Sequence, residues 1–131
     1  VVHDAARPMA SRELFERVIA AVRSGADAAV PVVPVVDTIR HTRDGTVDRD
    51  ALRAVQTPQG FRAEALRRAH ANGGEATDDA SLVESTGATV VLVDGERWNL
   101  KITEPTDLDV ASALVDRALV DGGAAGGDSI S

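Results

Sequence analysis

The sequence predicts an α/β domain with a mostly parallel sheet, and three observations support this. Apolar, Val-rich runs alternate along the chain with segments of helical periodicity. The apolar residues are mainly Val, Ala and Leu, with two Phe and one Trp as the aromatics, which suits strands packed on helices. A length of 131 residues is enough for one domain with its own core, and short for two.

The first expected elements are the end of a strand and a helix. Val1 and Val2 run into a turn at 4–8. Ser11 is a predicted N-cap, because its hydroxyl can accept an unpaired N–H of the first helical turn. Gly25 is expected to end this helix. Its apolar face is predicted from the helical spacing of Leu14, Phe15, Val18, Ile19 and Val22.

A buried strand and a polar hairpin are expected next. Residues 28–36 are apolar and Val-rich, and Pro31 and Pro34 predict an irregular end because proline cannot donate to a strand ladder. The polar segment 37–50 has Asp44-Gly45 as a turn signal, which predicts a hairpin. Little of it can be buried against the domain, so we expect it to project. The residues alone leave open whether it meets a partner or is a surface loop.

The next part of the chain predicts two helices and a strand. Residues 61–71 have a helical pattern that ends at Asn72-Gly73-Gly74. Thr77-Asp78-Asp79 is expected to cap a short helix that reaches Val83. Residues 89–93 are apolar and β-branched, which predicts a strand that ends at a turn.

A short strand and a last helix complete the prediction. The strand is expected at 99–103. Thr103 or Thr106 is expected to cap the helix, with Pro105 in its first turn, where a missing N–H is tolerated. Residues 122–131 are rich in Gly and Ala, which predicts a flexible tail after a domain at 1–121. The apolar stripe of this helix is predicted at Leu108, Ala111, Leu114, Val115 and Ala118.

Charge and composition exclude several classes of function. The formal net charge is −7, and an acidic surface repels a nucleic-acid backbone, so no nucleic-acid partner is expected. The absence of cysteine excludes disulfides, thiolate zinc sites and cysteine nucleophiles. No apolar run approaches 18 residues and no signal-peptide pattern is present, so we expect no membrane partner and a cytoplasmic location.

Asp4, Thr38 and Lys101 are the first candidates for a site, because they lie at or near predicted strand ends, where ligands bind to parallel sheets. Asp4 and Arg7 share one turn, where a carboxylate can hold Mg²⁺ and a guanidinium can bind phosphate. Asp4 could instead cap the turn and pair with Arg7. Lys101 could stabilise a phosphate, or serve as a charged residue that protects a sheet edge.

The loop 56–61 and the segment 77–79 are weaker candidates on their own. The Thr57 hydroxyl and the loop amides suit an oxyanion at a helix start, but Pro and Gly there are also simple turn residues. Thr77-Asp78-Asp79 could be a helix cap alone. His3 could orient Asp4 or make a structural hydrogen bond, and the three histidines lack metal-ligand spacing.

Taken in order, these segments resemble one family, the 2-C-methyl-D-erythritol 4-phosphate cytidylyltransferases of the non-mevalonate isoprenoid pathway. The resemblance covers about residues 1–120. It is carried by HDAARP at 3–8, VVDTI at 35–39, TVDR at 46–49, VQTPQGF at 55–61, TDDASLVE at 77–84 and NLKIT at 99–103. It implies a glycosyltransferase-A-like (Rossmann-like) nucleotidyltransferase sheet with a projecting β-arm at about 37–50, and a homodimer formed through that arm.

The resemblance also implies a Mg²⁺-dependent reaction in which methylerythritol phosphate attacks the α-phosphorus of CTP and releases pyrophosphate. Asp4 would act at the metal and the nucleotide, and Lys101 would stabilise charge at the α-phosphate. Arg7 would help to hold substrate, and Thr77 would contact methylerythritol phosphate in the same subunit. By the same resemblance, three residues would reach the substrate of the partner subunit: Thr38, Arg49 and Thr57.

One departure from the family and two alternative functions remain to be weighed. The glycine-rich loop that holds the CTP triphosphate in the family lies N-terminal to all of these motifs, so we expect that part to be missing and the chain alone to be inactive. A pentitol phosphate cytidylyltransferase, such as a ribitol 5-phosphate enzyme, shares the fold and several motifs. A non-catalytic dimerisation fragment is the alternative outside enzymes, although retained Asp4, Arg49 and Lys101 argue against it.

Overall fold

A computed structural model describes residues 1–73, 76 and 78–123. The elements in these ranges mix helices and strands along the chain. They are α1 (Arg12–Arg23), β1 (Ala28–Pro34), β2 (Arg40–His41), β3 (Gly45–Thr46), a short 3-10 helix (Arg49–Ala51), β4 (Arg53–Val55), β5 (Gly60–Phe61), α2 (Ala63–Ala71), α3 (Asp79–Glu84), β6 (Val90–Asp94) and α4 (Pro105–Gly123).

The main sheet is built on β1 and is mixed rather than mostly parallel. β1 pairs antiparallel with β4 and, at a different stretch, with β5. It pairs parallel with β6, over Ala28↔Val90 to Val32↔Asp94. The expectation of a mostly parallel sheet is therefore wrong for the described strands. The physical reason is that the chain turns back through the hairpin after β1 and returns along it in the opposite direction.

The first helix follows the local signals of the sequence. The Ser11 hydroxyl accepts a hydrogen bond from the Leu14 N–H, which confirms the predicted N-cap. The helix ends at Arg23, and Gly25 lies just beyond it at a φ of 120°, a conformation that favours glycine. Leu14 and Val18 are fully buried on the face that packs against the sheet. Val2 pairs with Gln59 as an isolated bridge, so a short extended segment precedes the helix.

The polar hairpin is present, and it forms a separate two-stranded sheet. β2 and β3 pair antiparallel through Arg40↔Thr46 and His41↔Gly45. The turn between them covers residues 42–44, so it includes Asp44 of the expected turn signal, and Gly45 follows as the first residue of β3. Most residues from 36 to 51 are exposed. The hairpin therefore has the exposure expected of a projecting segment, and we refer to residues 37–50 as the arm.

Two expectations near the end of the chain are wrong. Residues 99–103 form no strand; the Asn99 N–H closes a turn on the Glu96 carbonyl, and the Ile102 N–H donates to Ala6. The segment thus passes over the turn that holds Asp4 instead of extending a sheet. The second correction is the cap of α4. The side chain that accepts the N–H groups at the start of α4 is the Asp107 carboxylate, which bonds to the N–H groups of Thr103 and Glu104. Pro105 is the first helical residue, as expected.

The buried core lies between β1 and the helix pair α2–α3. It contains Ala28, Ala65, Ala69, Leu82 and Val83, with Phe61 and Leu66 packed against it. The start of the second helix differs from the expected one, because Phe61 belongs to β5 and α2 begins at Ala63. Among the described residues, no helix combines the length and the apolar character needed to cross a bilayer. The tail expected from 122 overlaps the end of α4, and residues 124–131 lie outside the described residues.

Candidate active site

The turn after Val2 places the Asp4 carboxylate against Lys101. Asp4 Oδ1 accepts from the Ala6 N–H at 3.1 Å, and Asp4 Oδ2 lies 3.1 Å from Lys101 Nζ. The hydrogen bond from Ala6, together with those of Lys101 and the nearby positive charges, lowers the pKa of Asp4 below its usual value. The two residues are 97 positions apart, so the fold itself creates a carboxylate–ammonium pair that stays partly open to solvent.

The alternative interpretation of the turn predicted that Arg7 pairs with Asp4. Both residues lie in the described part of the chain, and the structure contains no ion pair between them. The Arg7 guanidinium donates to the Asn99 carbonyl at 2.7 Å and to the Val55 carbonyl at 3.4 Å. Burial lowers the pKa of Arg7, while the Asp4 charge acts in the opposite direction. Arg7 therefore ties three segments together, the Asp4 turn, the end of β4 and the segment that carries Lys101.

Thr57 joins the loop between β4 and β5 to the same turn. Its Oγ1 accepts from the Asp4 N–H at 3.0 Å and lies 3.0 Å from Nδ1 of His3. The structure thus brings four of the predicted site residues together within one chain: Asp4, Arg7, Thr57 and Lys101.

A buried polar network supports this cluster, and the sequence analysis missed it. The Gln56 amide donates to the Glu96 carbonyl and its Oε1 accepts from the Glu96 N–H, at 2.8 and 3.0 Å. Asn99, which is fully buried, donates to the Thr57 carbonyl at 2.8 Å. The Glu96 carboxylate is buried and accepts both the N–H and the hydroxyl of Ser11. A Gln directly after an exposed strand and a Glu directly after a Gly turn were the available signals, but neither is specific.

A cavity of about 390 Å³ opens beside Asp4 and Thr57. Asp78, just before α3, and Asp79, its first residue, also line the cavity. Asp78 caps α3 by accepting from the Ser81 N–H at 2.8 Å, and although burial raises its pKa, hydrogen bonds from Ser81 and Gln59 outweigh this and leave the pKa lowered. Thr77, the predicted substrate contact of this loop, lies outside the described residues. The further lining residues are Val2, His3, Gln59, His70, Ala76 and Leu82.

The arm residues are not part of this cluster. Thr38 is exposed, and the Arg49 guanidinium donates to the Val36 carbonyl at 2.6 Å. Among the described residues, no hydrogen bond or ion pair joins either side chain to Asp4 or Lys101. Within the same ranges, no group of three or more His, Asp or Glu side chains is arranged to hold a metal ion.

Known proteins of one name match most of this chain. The chain is 49% identical over 124 residues to the 2-C-methyl-D-erythritol 4-phosphate cytidylyltransferase of Rubrobacter xylanophilus, covering 88% of this chain and 53% of that protein. The identity is 53% over 123 residues to the protein of the same name from Rhodococcus opacus, covering 88% of this chain and 54% of that protein. The chain thus spans about half the length of the curated relatives it matches.

A solved structure confirms the expected fold class. The crystal structure of 2-C-methyl-D-erythritol 4-phosphate cytidylyltransferase from Thermus thermophilus matches with a TM-score of 0.79 and 50% identity. The match covers 86% of this chain and 59% of that one. The family model described as 2-C-methyl-D-erythritol 4-phosphate cytidylyltransferase matches residues 1–117. Because this match takes in every motif from the His3-Asp4 turn to Lys101, the chain belongs to the 2-C-methyl-D-erythritol 4-phosphate cytidylyltransferase family.

Proposed function

We propose that this chain is part of an enzyme that transfers a cytidylyl group from CTP to 2-C-methyl-D-erythritol 4-phosphate, giving 4-diphosphocytidyl-2-C-methyl-D-erythritol and pyrophosphate. The observation that carries the proposal is the pairing of Asp4 with Lys101 at 3.1 Å, beside the cavity of about 390 Å³. A cleft of this size can take a small phosphorylated polyol. The substrates are inferred from family membership, since the family match covers residues 1–117 and a relative of this name matches 88% of the chain.

In this reaction an oxygen of the substrate phosphate attacks the α-phosphorus of CTP, and the bond from that phosphorus to the β-phosphate oxygen breaks. A phosphate monoester is mostly dianionic near neutral pH, so the protein has no proton to remove from it. Its tasks are alignment and stabilisation of charge on the α-phosphate oxygens. We assign the second task to Lys101, whose half-exposed ammonium can move from Asp4 to an arriving phosphate.

Asp4 is the residue we propose for Mg²⁺. A magnesium ion in nucleotide sites is commonly held by one or two carboxylates, with phosphates and waters completing the octahedron. The Asp4 carboxylate fits this requirement, because it is ionised, partly exposed and at the edge of the cavity. Bound there with the nucleotide, the ion would neutralise phosphate charge.

The remaining predicted residues would bind the substrates. Arg7 fixes the segment of Lys101 through the Asn99 carbonyl, which supports a role in shaping the site, and Thr77 is assigned to the polyol phosphate. The exposed arm supports a homodimer in which Thr38 and Arg49 enter the partner's site, with Arg49 as the phosphate clamp. Thr57 contacts Asp4 of its own chain, which favours a role in this chain's own site.

The nucleotide would be held mainly by residues that have no counterpart in this chain. The chain covers 53–54% of its curated relatives, and among its described residues the site contains one lysine and one arginine, few cations for a triphosphate. We therefore propose that the 131-residue chain alone turns over no CTP. A cytoplasmic location, and the absence of nucleic-acid and membrane partners, stay predictions from the sequence.

The experiment is a pyrophosphate-release assay with CTP and Mg²⁺ and either 2-C-methyl-D-erythritol 4-phosphate or ribitol 5-phosphate. It compares the full-length gene product with the 131-residue chain. We expect release by the full-length product with methylerythritol phosphate alone. Release with ribitol phosphate alone would move the protein to the pentitol phosphate reaction. No pyrophosphate release with either substrate would favour a non-catalytic dimerisation role. Turnover by the 131-residue chain would contradict its proposed inactivity.

A further inference from the structure

His3 makes two hydrogen bonds that join the parts of the candidate site. Its Nδ1 lies 3.0 Å from Thr57 Oγ1, and its Nε2 lies 2.9 Å from the Arg7 carbonyl oxygen. The ring also meets Phe15 edge-on, with centroids 5.2 Å apart and an interplanar angle of 66°. His3 lines the cavity beside Asp4 and is exposed. The imidazole is thus held by three contacts although little of it is buried.

The partners of the ring determine where its proton lies. A carbonyl oxygen can only accept, so Nε2 must carry the proton that bonds to Arg7. In the neutral ring Nδ1 is then an acceptor, and the Thr57 hydroxyl donates to it. The same Thr57 oxygen accepts from the Asp4 N–H. The result is a directed chain of hydrogen bonds, from the Asp4 backbone through Thr57 and His3 to the Arg7 carbonyl.

We propose that His3 is a positioning residue for cytidylyl transfer, which orients the Thr57 hydroxyl and thereby holds the Asp4 turn at the metal and the α-phosphate. The inference rests on the proposed function. In this proposal His3 contacts neither the attacking phosphate oxygen nor the α-phosphorus of CTP. It acts through Thr57, because that hydroxyl has one proton and His3 determines the direction in which it points.

A purely structural role is the competing explanation. His3 also helps to close the turn through the Arg7 carbonyl and packs on Phe15, and either contact could stabilise the fold without affecting the reaction. Asparagine and glutamine separate these roles, because the side-chain amide of Asn reaches the position of Nδ1 and that of Gln reaches the position of Nε2. His3→Asn can keep the Thr57 contact, and His3→Gln can keep the Arg7 contact.

The test measures kcat, KM for both substrates and the thermal midpoint in the full-length gene product carrying His3→Asn, His3→Gln or His3→Ala. We expect kcat to fall roughly three- to tenfold in His3→Ala and His3→Gln, as for the loss of one neutral hydrogen bond, and to recover in His3→Asn. Thr57→Val combined with His3→Ala should be no slower than Thr57→Val alone, since His3 acts through that hydroxyl. Recovery in His3→Gln instead, or additive losses in the double variant, would overturn the proposal.

A second measurement does not depend on turnover, so it separates this inference from the proposed function. The ¹⁵N shifts of the His3 ring, assigned by their loss in His3→Asn, should show an unprotonated, hydrogen-bonded Nδ1 and a protonated Nε2. Thr57→Val should shift the Nδ1 signal and leave the Nε2 signal nearly unchanged. A ring protonated at Nδ1, or an Nδ1 signal indifferent to Thr57→Val, would overturn the assignment even if the enzyme is active. An inactive wild type with the expected shifts would contradict the proposed reaction alone.

Discussion

Gly95 is the position where one added methyl group should disturb the candidate site most directly. A Cβ at this residue would lie 2.6 Å from Oε1 of Gln56 and 3.0 Å from the carbonyl oxygen of Val32. The Val32 carbonyl is backbone and already accepts from the Gly95 N–H at 2.8 Å, so it has little room to move. The Gln56 amide is therefore the group that must give way in Gly95→Ala.

The cost follows from the hydrogen bonds that Gln56 Oε1 would lose. It accepts from the Glu96 N–H at 3.0 Å and from the Asn99 amide at 3.3 Å, in a buried setting. A buried donor left without a partner costs about 1–3 kcal/mol. Overpacking a tightly packed site costs about the same. With partial relaxation we expect Gly95→Ala to lower the free energy of unfolding by about 2–4 kcal/mol.

The assay is urea unfolding of the full-length gene product, with Trp98 fluorescence as a local probe three residues from the substitution. The matched control is Gly95→Ala in a Gln56→Ala background, where the main clash is absent. There the added cost should fall to about 1 kcal/mol, which reflects the remaining contact with the Val32 carbonyl. An unchanged unfolding midpoint in the single variant, or the same cost in both backgrounds, would refute the reasoning.

Three further predictions concern the site and its support. Lys101→Ala should lower kcat about 10²- to 10³-fold with little change in the unfolding midpoint, measured as pyrophosphate release, because it removes a cation from the developing charge; an unchanged kcat would remove Lys101 from the reaction. The pKa of Asp4 is lowered from 3.8, so the ionised carboxylate stabilises the folded state above pH 3.8, and this stabilisation is lost as pH falls through the folded pKa. Asp4→Asn should therefore lose less stability than wild type as pH falls below 3.8, and parallel pH profiles of stability would contradict this. Ser11→Ala should lower the free energy of unfolding, measured in urea, by about 1–3 kcal/mol, because it removes the cap of α1 and a hydrogen-bond partner of buried Glu96. A change below about 0.5 kcal/mol would show that water replaces the hydroxyl.

Local signals in the sequence were reliable where the responsible contacts lie within a few residues. Ser11 caps α1 as predicted, and the hairpin expected from the Asp44-Gly45 signal forms. The contacts that form both features lie within one short segment, so a local pattern is enough to predict them. The expected strand at 99–103 failed for the opposite reason. Its apolar pattern suited a strand, but its backbone bonds to the Ala6 carbonyl and its own turn, which distant packing decides.

The sequence by itself determined the family, because six motifs in a fixed order are far more specific than any one of them, and it named Asp4, Arg7, Thr57 and Lys101. Only the tertiary structure decided their partners. It paired Asp4 with Lys101 instead of Arg7, and it directed Arg7 to a backbone carbonyl 92 residues away.

The tertiary structure also revealed the polar network of Gln56, Glu96 and Asn99 and the bridge made by His3. Their roles depend on which donor and acceptor lie within hydrogen-bond distance, and a linear pattern carries no such distances. The buried Gln56 amide finds its donor and acceptor partners at Glu96, 40 residues along the chain, and a buried polar group left unpaired costs about 1–3 kcal/mol.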